Sequence, residues 1–166
     1  KLFMKKKYEY EVIFTPGHSE GLVTFYNREK NVLLSTDHIL PKITPNISYW
    51  YHGDPNPLAS YFDSLRKIEA LEVDFVIPSH GKPFYDGHLR VLELMKHHEE
   101  RLETLYGIIR NGCTVYEACE KLFNKTLTIH ETRFAIGETL AHLEYLRLNG
   151  KSTRELQENV YVYRAI

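Results

Sequence analysis

An α+β chain, β-rich in its first half and helical in its second, is what this sequence predicts. Residues 8–85 read as three short apolar runs, a helical stretch and a further short apolar run. Residues 86–166 read instead as helices with recognisable start signals. The segment Val12–Leu40 also carries His18 and Asp37 at the ends of apolar runs, where rigid elements can hold side chains accurately.

Residues 8–14 alternate toward Val12 and Phe14 and predict a strand. Residues 21–27 and 31–35 predict two more, joined across Asn27-Arg28-Glu29-Lys30. Residues 36–56 hold Pro41, Pro45, Asn46, Gly53 and Asn56 and read as an irregular loop, longer than the usual connection. Its Tyr49, Trp50, Tyr51 and His52 have two readings, a pocket lining or a packed patch. Asn56 and Pro57 then suit a helix start, and Leu58, Tyr61, Phe62, Leu65 and Ile68 recur at helical spacing. Val73–Ile77 predicts a strand that delivers Ser79-His80-Gly81. A long helix is expected over 86–110, started by Asp86, striped by Leu89, Leu92, Met95, Leu102, Leu105 and Ile109, and stopped at Asn111-Gly112. Thr114 with Glu117, and Thr128 with Glu131, have capping-box spacing and predict two further helices. The closing NVYVYRA predicts a strand or small wing. The domain boundary falls within or just after this long helix of 86–110 and is placed at 110/111, giving 1–110 and 111–166.

The bulk properties narrow the classes. With 43% hydrophobic and 26% charged residues in 166, a buried core is expected. A net charge of -1 gives no general attraction to nucleic acid or anionic lipid, and the basic opening KKKYEYE is soon balanced by glutamates. No run reaches the length of a membrane span, and no signal peptide is visible. Cys113 and Cys119 are read as reduced thiols in a cytoplasmic protein.

His18, Asp37 and His80 are the metal-ligand candidates, because imidazole and carboxylate suit zinc, with iron or manganese as alternatives. Separations of nineteen and forty-three residues match no local zinc finger, so only a fold that gathers strand ends could unite them. GHSEG formally matches a nucleophile elbow at Ser19, but it leads into the apolar strand LVTFY, where an elbow needs a helix.

In this order, TPGHSEG, STDH and PSHG resemble the last three metal-binding motifs of the metallo-β-lactamase superfamily of hydrolases. With DHILPKITPNISYW and the helical tail, the resemblance covers essentially the whole chain. It is to the branch whose metallohydrolase domain is followed by a winged-helix-like domain. It implies the C-terminal half of an αββα sandwich followed by a helical winged-helix-like domain. It assigns His18 to the first of two metal positions, Asp37 to the bridge between both, and His80 to the second. Asp37 and His38 are the residues tied to catalysis, His38 as a partner that orients a ligand. Thr36 stands where the family usually has glycine. The family's HxHxDH cluster is absent, so the chain is read as the C-terminal portion of a longer enzyme.

The complete parent is then expected to hold two divalent ions and to hydrolyse a small-molecule ester or thioester, or RNA. This chain alone is expected to be inactive, to hold metal weakly or not at all, and to self-associate through its uncovered apolar face. The competing class is a nucleic-acid-binding or RNA-processing module in the tail. There Arg133, Arg147, Lys151 and Arg154 could reach phosphates, but Glu131, Glu138, Glu144, Glu155 and Glu158 interrupt any basic stripe. Sequence-specific DNA and membrane partners are not expected. Among the remaining histidines, His97 and His98 are adjacent on a helix, so they do not easily face one metal, and they read as surface or edge residues; His142 reads as a packing residue.

Overall fold

A computed structural model describes residues 2–4 and 8–166; Lys1 and Lys5–Lys7, which include the basic part of the opening segment, lie outside the described residues. Two compact units emerge. One comprises residues 1–45 and 59–96, the other 46–58 and 97–166. Compactness thus divides the long second helix at Lys96, upstream of the 110/111 position read from the sequence.

The first unit is a mixed sheet with its helical cover. Its strands are β1 (Leu2–Met4), β2 (Tyr8–Phe14), β3 (Val23–Asn27), β4 (Val32–Thr36), β5 (Phe75–Pro78) and β6 (Phe84–Tyr85), hydrogen-bonded in that order. β2–β3 and β3–β4 are antiparallel, while β4 and β5 are parallel, the geometry that requires a crossover. Helix α1 (Pro57–Glu69) supplies it. The three strand predictions up to residue 36 hold, and β1 and β6 are additions.

The turn between β3 and β4 explains itself locally. The Asn27 side chain accepts the Lys30 N–H at 2.8 Å, and Asn31 takes the left-handed φ of 52° that asparagine tolerates. Tyr26, fully buried, donates its hydroxyl to the Glu72 carbonyl at 2.6 Å, tying the sheet to the segment after α1. On α1 the predicted stripe Leu58, Tyr61, Phe62, Leu65 and Ile68 is buried throughout. On β2 the expectation fails in part: Val12 and Phe14 are 45% and 53% exposed.

Helix α2 (Gly87–Ile108) continues into a 3-10 turn, Ile109–Asn111. Its stripe follows the predicted one at Leu102, Leu105 and Ile109 and differs in phase before them. Leu89 and Leu92 face solvent, and the buried positions are Val91, Leu94, His98, Leu102, Leu105 and Ile109. Spacings of three and four also connect this second set, and it places a histidine in the core.

The second unit holds β7 (Cys113–Thr114), α3 (Val115–Phe123), α4 (Ile129–Leu148), β8 (Ser152–Gln157) and β9 (Val160–Ala165), with sheet order β7-β9-β8. Both capping boxes form as predicted, at Thr114/Glu117 and Thr128/Glu131. The tail forms a β-hairpin. Glu158 and Asn159 both have positive φ, 47° and 67°, which matches the right-handed twist of a two-residue hairpin turn. On α4 Phe134 is exposed, His142 is buried as its packing reading expected, and Glu138 and Glu144 are buried as well. Burial pushes the Glu144 carboxyl up. Hydrogen bonds from Arg147 and Tyr163 outweigh that and hold it below its usual range. Arg147 and Arg154 reach Glu144 at 2.7 and 2.9 Å, so two of the cations offered as phosphate contacts neutralise an internal carboxylate.

Candidate metal centre at the strand ends

Strand direction assembles the site. β2 is antiparallel to β3, β3 is antiparallel to β4, and β4 is parallel to β5. β2, β4 and β5 therefore run the same way, and their C-terminal ends share one edge of the sheet. The residues that follow those ends are Thr15-Pro16-Gly17-His18, Asp37 and Ser79-His80.

Each loop is pinned. Thr15 donates its N–H to the Leu22 carbonyl at 2.9 Å, and the Pro16 carbonyl accepts the Ser64 hydroxyl of α1 at 2.8 Å. Gly17 has φ 132° and lies against Tyr61, where an added Cβ would fall 2.5 Å from the Tyr61 Cβ. The Ser79 N–H donates to the Thr36 carbonyl at 3.1 Å, and the Ser79 hydroxyl donates to Asp37 Oδ1. Beyond Asp37, Arg90 ties the following loop through the carbonyls of Leu40 and Ile43, at 2.8 and 3.1 Å.

Asp37 Oδ1 and His80 Nε2 are 3.4 Å apart, a separation at which a carboxylate and an imidazole can share one ion. The Asp37 side chain is 32% exposed and that of His80 72%, so both donors are open to solvent. The donor atoms of His18, Asp37 and His80 do not all lie within 4.8 Å of one another, as the members of a compact three-ligand set would. The donor types fit a divalent metal.

His38 lies beneath this edge and is fully buried. Its ring is edge-on to Tyr61 with centroids 5.2 Å apart, and its carbonyl accepts the Tyr61 hydroxyl at 3.0 Å. Among the described residues neither ring nitrogen meets a partner in good hydrogen-bond geometry, although the Ser64 backbone approaches. Burial is the main reason its pKa falls to about 3, so the ring is neutral.

Beside His80 runs an open groove of about 610 Å³ lined by Pro41, Ile43, Pro83 and Phe84, with Lys42 and Lys82 at its rim. Gly81 has φ 86°, and an added Cβ there would meet the Pro41 ring at 2.7 Å. These residues carried no signal at the sequence level beyond the prolines and glycine.

Thr36 has φ 49°, a left-handed backbone that costs a β-branched residue about 1–2 kcal/mol. The conformation carries Asp37 out of the strand, and the β4–β5 register shifts between Leu34 and Thr36. Its hydroxyl offsets part of the strain by donating to the Val23 carbonyl at 3.0 Å. Thr36→Val keeps the strain and loses the bond, and should cost about 1–2 kcal/mol. Thr36→Gly loses the bond but relieves the strain, and should fall within about 1 kcal/mol of the parent. Urea unfolding of both variants checks this order, which is the reverse of ordinary strand propensity.

A second polar cluster escaped the sequence reading. His98, expected on the surface, is fully buried, and a nitrogen of His97, a nitrogen of His98 and a carboxylate oxygen of Glu138 lie within 4.8 Å of one another. The spacing Val91, Leu94, His98, Leu102 could have revealed that His98 occupies a core position.

Comparison with known proteins agrees with this geometry. Residues 9–80 match the metallo-beta-lactamase superfamily model, and residues 102–166 match the model described as the metallo-beta-lactamase-like C-terminal domain. A Bacillus subtilis protein named "probable metallo-hydrolase" is 23% identical over 95% of this chain and 50% of its own length. The crystal structure of a beta-lactamase domain protein from Burkholderia ambifaria superposes with a TM-score of 0.92 at 34% identity, covering 96% of this chain and 49% of that one. A metallo-beta-lactamase family protein from Thermus thermophilus gives 0.85 at 36% identity, covering 96% and 50%. The chain thus spans about half the length of these relatives. With its two segments matched in order and the strand-end residues gathered at one sheet edge, the chain belongs to the metallo-beta-lactamase superfamily.

Proposed function

We propose that this chain is the C-terminal part of a metal-dependent hydrolase. In this reading residues 1–110 are half of an αββα sandwich and residues 111–166 a winged-helix-like domain. The observation that carries the reading is the approach of Asp37 and His80 to 3.4 Å at the shared edge of parallel strands. His18 and His80 then serve different metal positions, and Asp37 serves both. The remaining ligands come from residues outside this sequence. Zinc suits the donors, with iron or manganese as alternatives.

Bound divalent ions of this kind lower the pKa of water and polarise a carbonyl or phosphoryl oxygen. The residues of this chain supply the placement. Ser79 holds one oxygen of Asp37 by donating to it, which fixes the direction of the other. His38 acts as a positioning residue through its backbone: its N–H donates to the Ser35 carbonyl at 3.0 Å and its carbonyl accepts from Tyr61, which sets the chain path just after Asp37. The groove beside His80 suits the apolar part of a small ester or thioester. RNA is the alternative substrate. The engagement of Arg147 and Arg154 with Glu144 favours the small molecule. We further propose a cytoplasmic setting, supported by the two buried free thiols, and self-association through the exposed side of β2. Among the described residues no helix is long and apolar enough to cross a membrane.

The test is metal analysis with ester, thioester and RNA hydrolysis assays, run on this chain and on one extended upstream to include an HxHxDH motif. Turnover is expected only in the extended chain. Asp37→Ala there should lower kcat/KM by a factor on the order of a thousand, because both metal positions lose a ligand. Robust turnover by the short chain, or an extended chain indifferent to Asp37→Ala, would defeat the proposal.

A further inference from the structure

The second compact unit contains a polar cluster that the strand-end chemistry does not use. His97 and His98 come from α2 and Glu138 and His142 from α4. His98 and His142 are fully buried and Glu138 is 8% exposed. Polar groups are expensive in a protein interior unless they are supported, so their arrangement calls for a reason.

The tautomers follow from one fixed end. His142 Nδ1 lies 2.8 Å from the Glu138 backbone carbonyl, which can only accept, so Nδ1 carries the proton. His142 Nε2 therefore presents a lone pair. It lies 3.0 Å from His98 Nδ1, which must donate to it. That leaves Nε2 of a neutral His98 with its own lone pair. Both rings are held neutral mainly by burial, at about 2 for His98 and about 3 for His142. An imidazole whose second nitrogen donates to a fixed acceptor is the arrangement of a supported metal ligand.

We infer that His97, His98 and Glu138 form a second divalent transition-metal site, oriented by His142. Two imidazoles and one carboxylate suit zinc or cobalt, with a fourth position for water. Donor atoms within 4.8 Å must close to about 3.3 Å around a tetrahedral ion with bonds near 2.0–2.1 Å. His97 is half-buried, the least enclosed of the three ligands.

Arg101 sets the strength. Its Nη1 holds Glu138 Oε1 at 2.6 Å, whereas Oε2 has only the long 3.4 Å contact from Asn46. A metal ion would take the Oε2 side and would sit near a guanidinium. Affinity should therefore be micromolar, below that of closed four-ligand sites.

The site is separable from the strand-end residues. In a His18→Ala/His80→Ala background, equilibrium dialysis with zinc should still show one ion per chain, and cobalt should give the visible absorption of a low-coordinate nitrogen/oxygen site. His97→Gln, at the half-buried position, should weaken binding by a factor on the order of a hundred, and His142→Gln about tenfold or more. Arg101→Gln should have the opposite sign and tighten binding about tenfold, because a competing cation is removed. General destabilisation cannot produce tightening, so this variant separates ligand competition from misfolding; circular dichroism establishes that each variant is folded. Binding unchanged by His97→Gln, no tightening in a folded Arg101→Gln variant, or no zinc uptake by the background chain at micromolar free zinc would each overturn the assignment.

Discussion

Lowering the pH from 7 to 5 in the presence of a chelator should remove about 4 kcal/mol of stability from the second compact unit and about 2 kcal/mol from the first. The cause is three histidines buried in the neutral state. Folded pKa values are about 3 for His38, about 2 for His98 and about 3 for His142, against 6.5 once unfolding exposes the rings. These values are depressed, so the unfolded chain takes up protons first as the pH falls. The contribution is fully present above pH 6.5 and is lost progressively from there down to the folded values. At pH 5 each group costs about 2 kcal/mol. Since domains are stable by only about 5–15 kcal/mol, such a loss is about a quarter or more of the total. The carboxyls held low, Glu117, Glu131 and Glu144, contribute only below their usual range, so they do not account for losses above pH 5. Trp50, the single tryptophan, lies in the second unit and reports on it by fluorescence in urea titrations. A stability that stays flat between pH 7 and 5 would contradict the neutral burial of His98 and His142. Replacing His38 with leucine should remove the pH dependence of the first unit only.

Gly17→Ala should destabilise the first unit by about 3–5 kcal/mol, while Gly21→Ala, four residues away in the same loop, should be within about 0.5 kcal/mol of the parent. The contrast is geometric. At Gly17 an added Cβ would lie 2.5 Å from the Tyr61 Cβ and 2.7 Å from its Cα, and φ is 132°. Tyr61 is fully buried on α1 and cannot move without the helix. The loop cannot lift away easily, because Ser64 holds the Pro16 carbonyl and Lys67 reaches the Phe14 carbonyl at 3.1 Å. Overpacking against backbone costs about 1–3 kcal/mol, and the strained φ adds about 1–3 kcal/mol. At Gly21 an added Cβ meets nothing within 4 Å. Urea unfolding of the two variants side by side measures the difference, and equal effects would refute the close approach of this loop to α1. In the upstream-extended chain of the proposed function, the displacement of His18 in Gly17→Ala should also appear as altered metal uptake.

What the sequence determined by itself was local or carried by short motifs. The capping boxes at Thr114/Glu117 and Thr128/Glu131 involve partners three residues apart, so they form wherever the helix forms. The α1 stripe and the strands predicted at 8–14, 21–27 and 31–35 follow from periodicity, and TPGHSEG, STDH and PSHG carry the resemblance to the superfamily without any knowledge of the fold. Tertiary structure decided the rest. The common direction of β2, β4 and β5 brings Asp37 to His80 across forty-three residues, and Thr36 adopts its left-handed backbone because the sheet path requires it. On α2 the predicted Leu102, Leu105 and Ile109 are buried, but before them a stripe through Leu89 and Leu92 and one through Val91 and Leu94 were both compatible with helical spacing. Packing chose the one containing His98, which then met His142 forty-four residues away. Periodicity fixes how residues share a face, but which face is buried depends on the area of apolar surface a partner offers. That partner lies far away along the chain, so although His142 read as a packing residue, neither its pairing with His98 nor the burial of Glu138 could be read from local sequence.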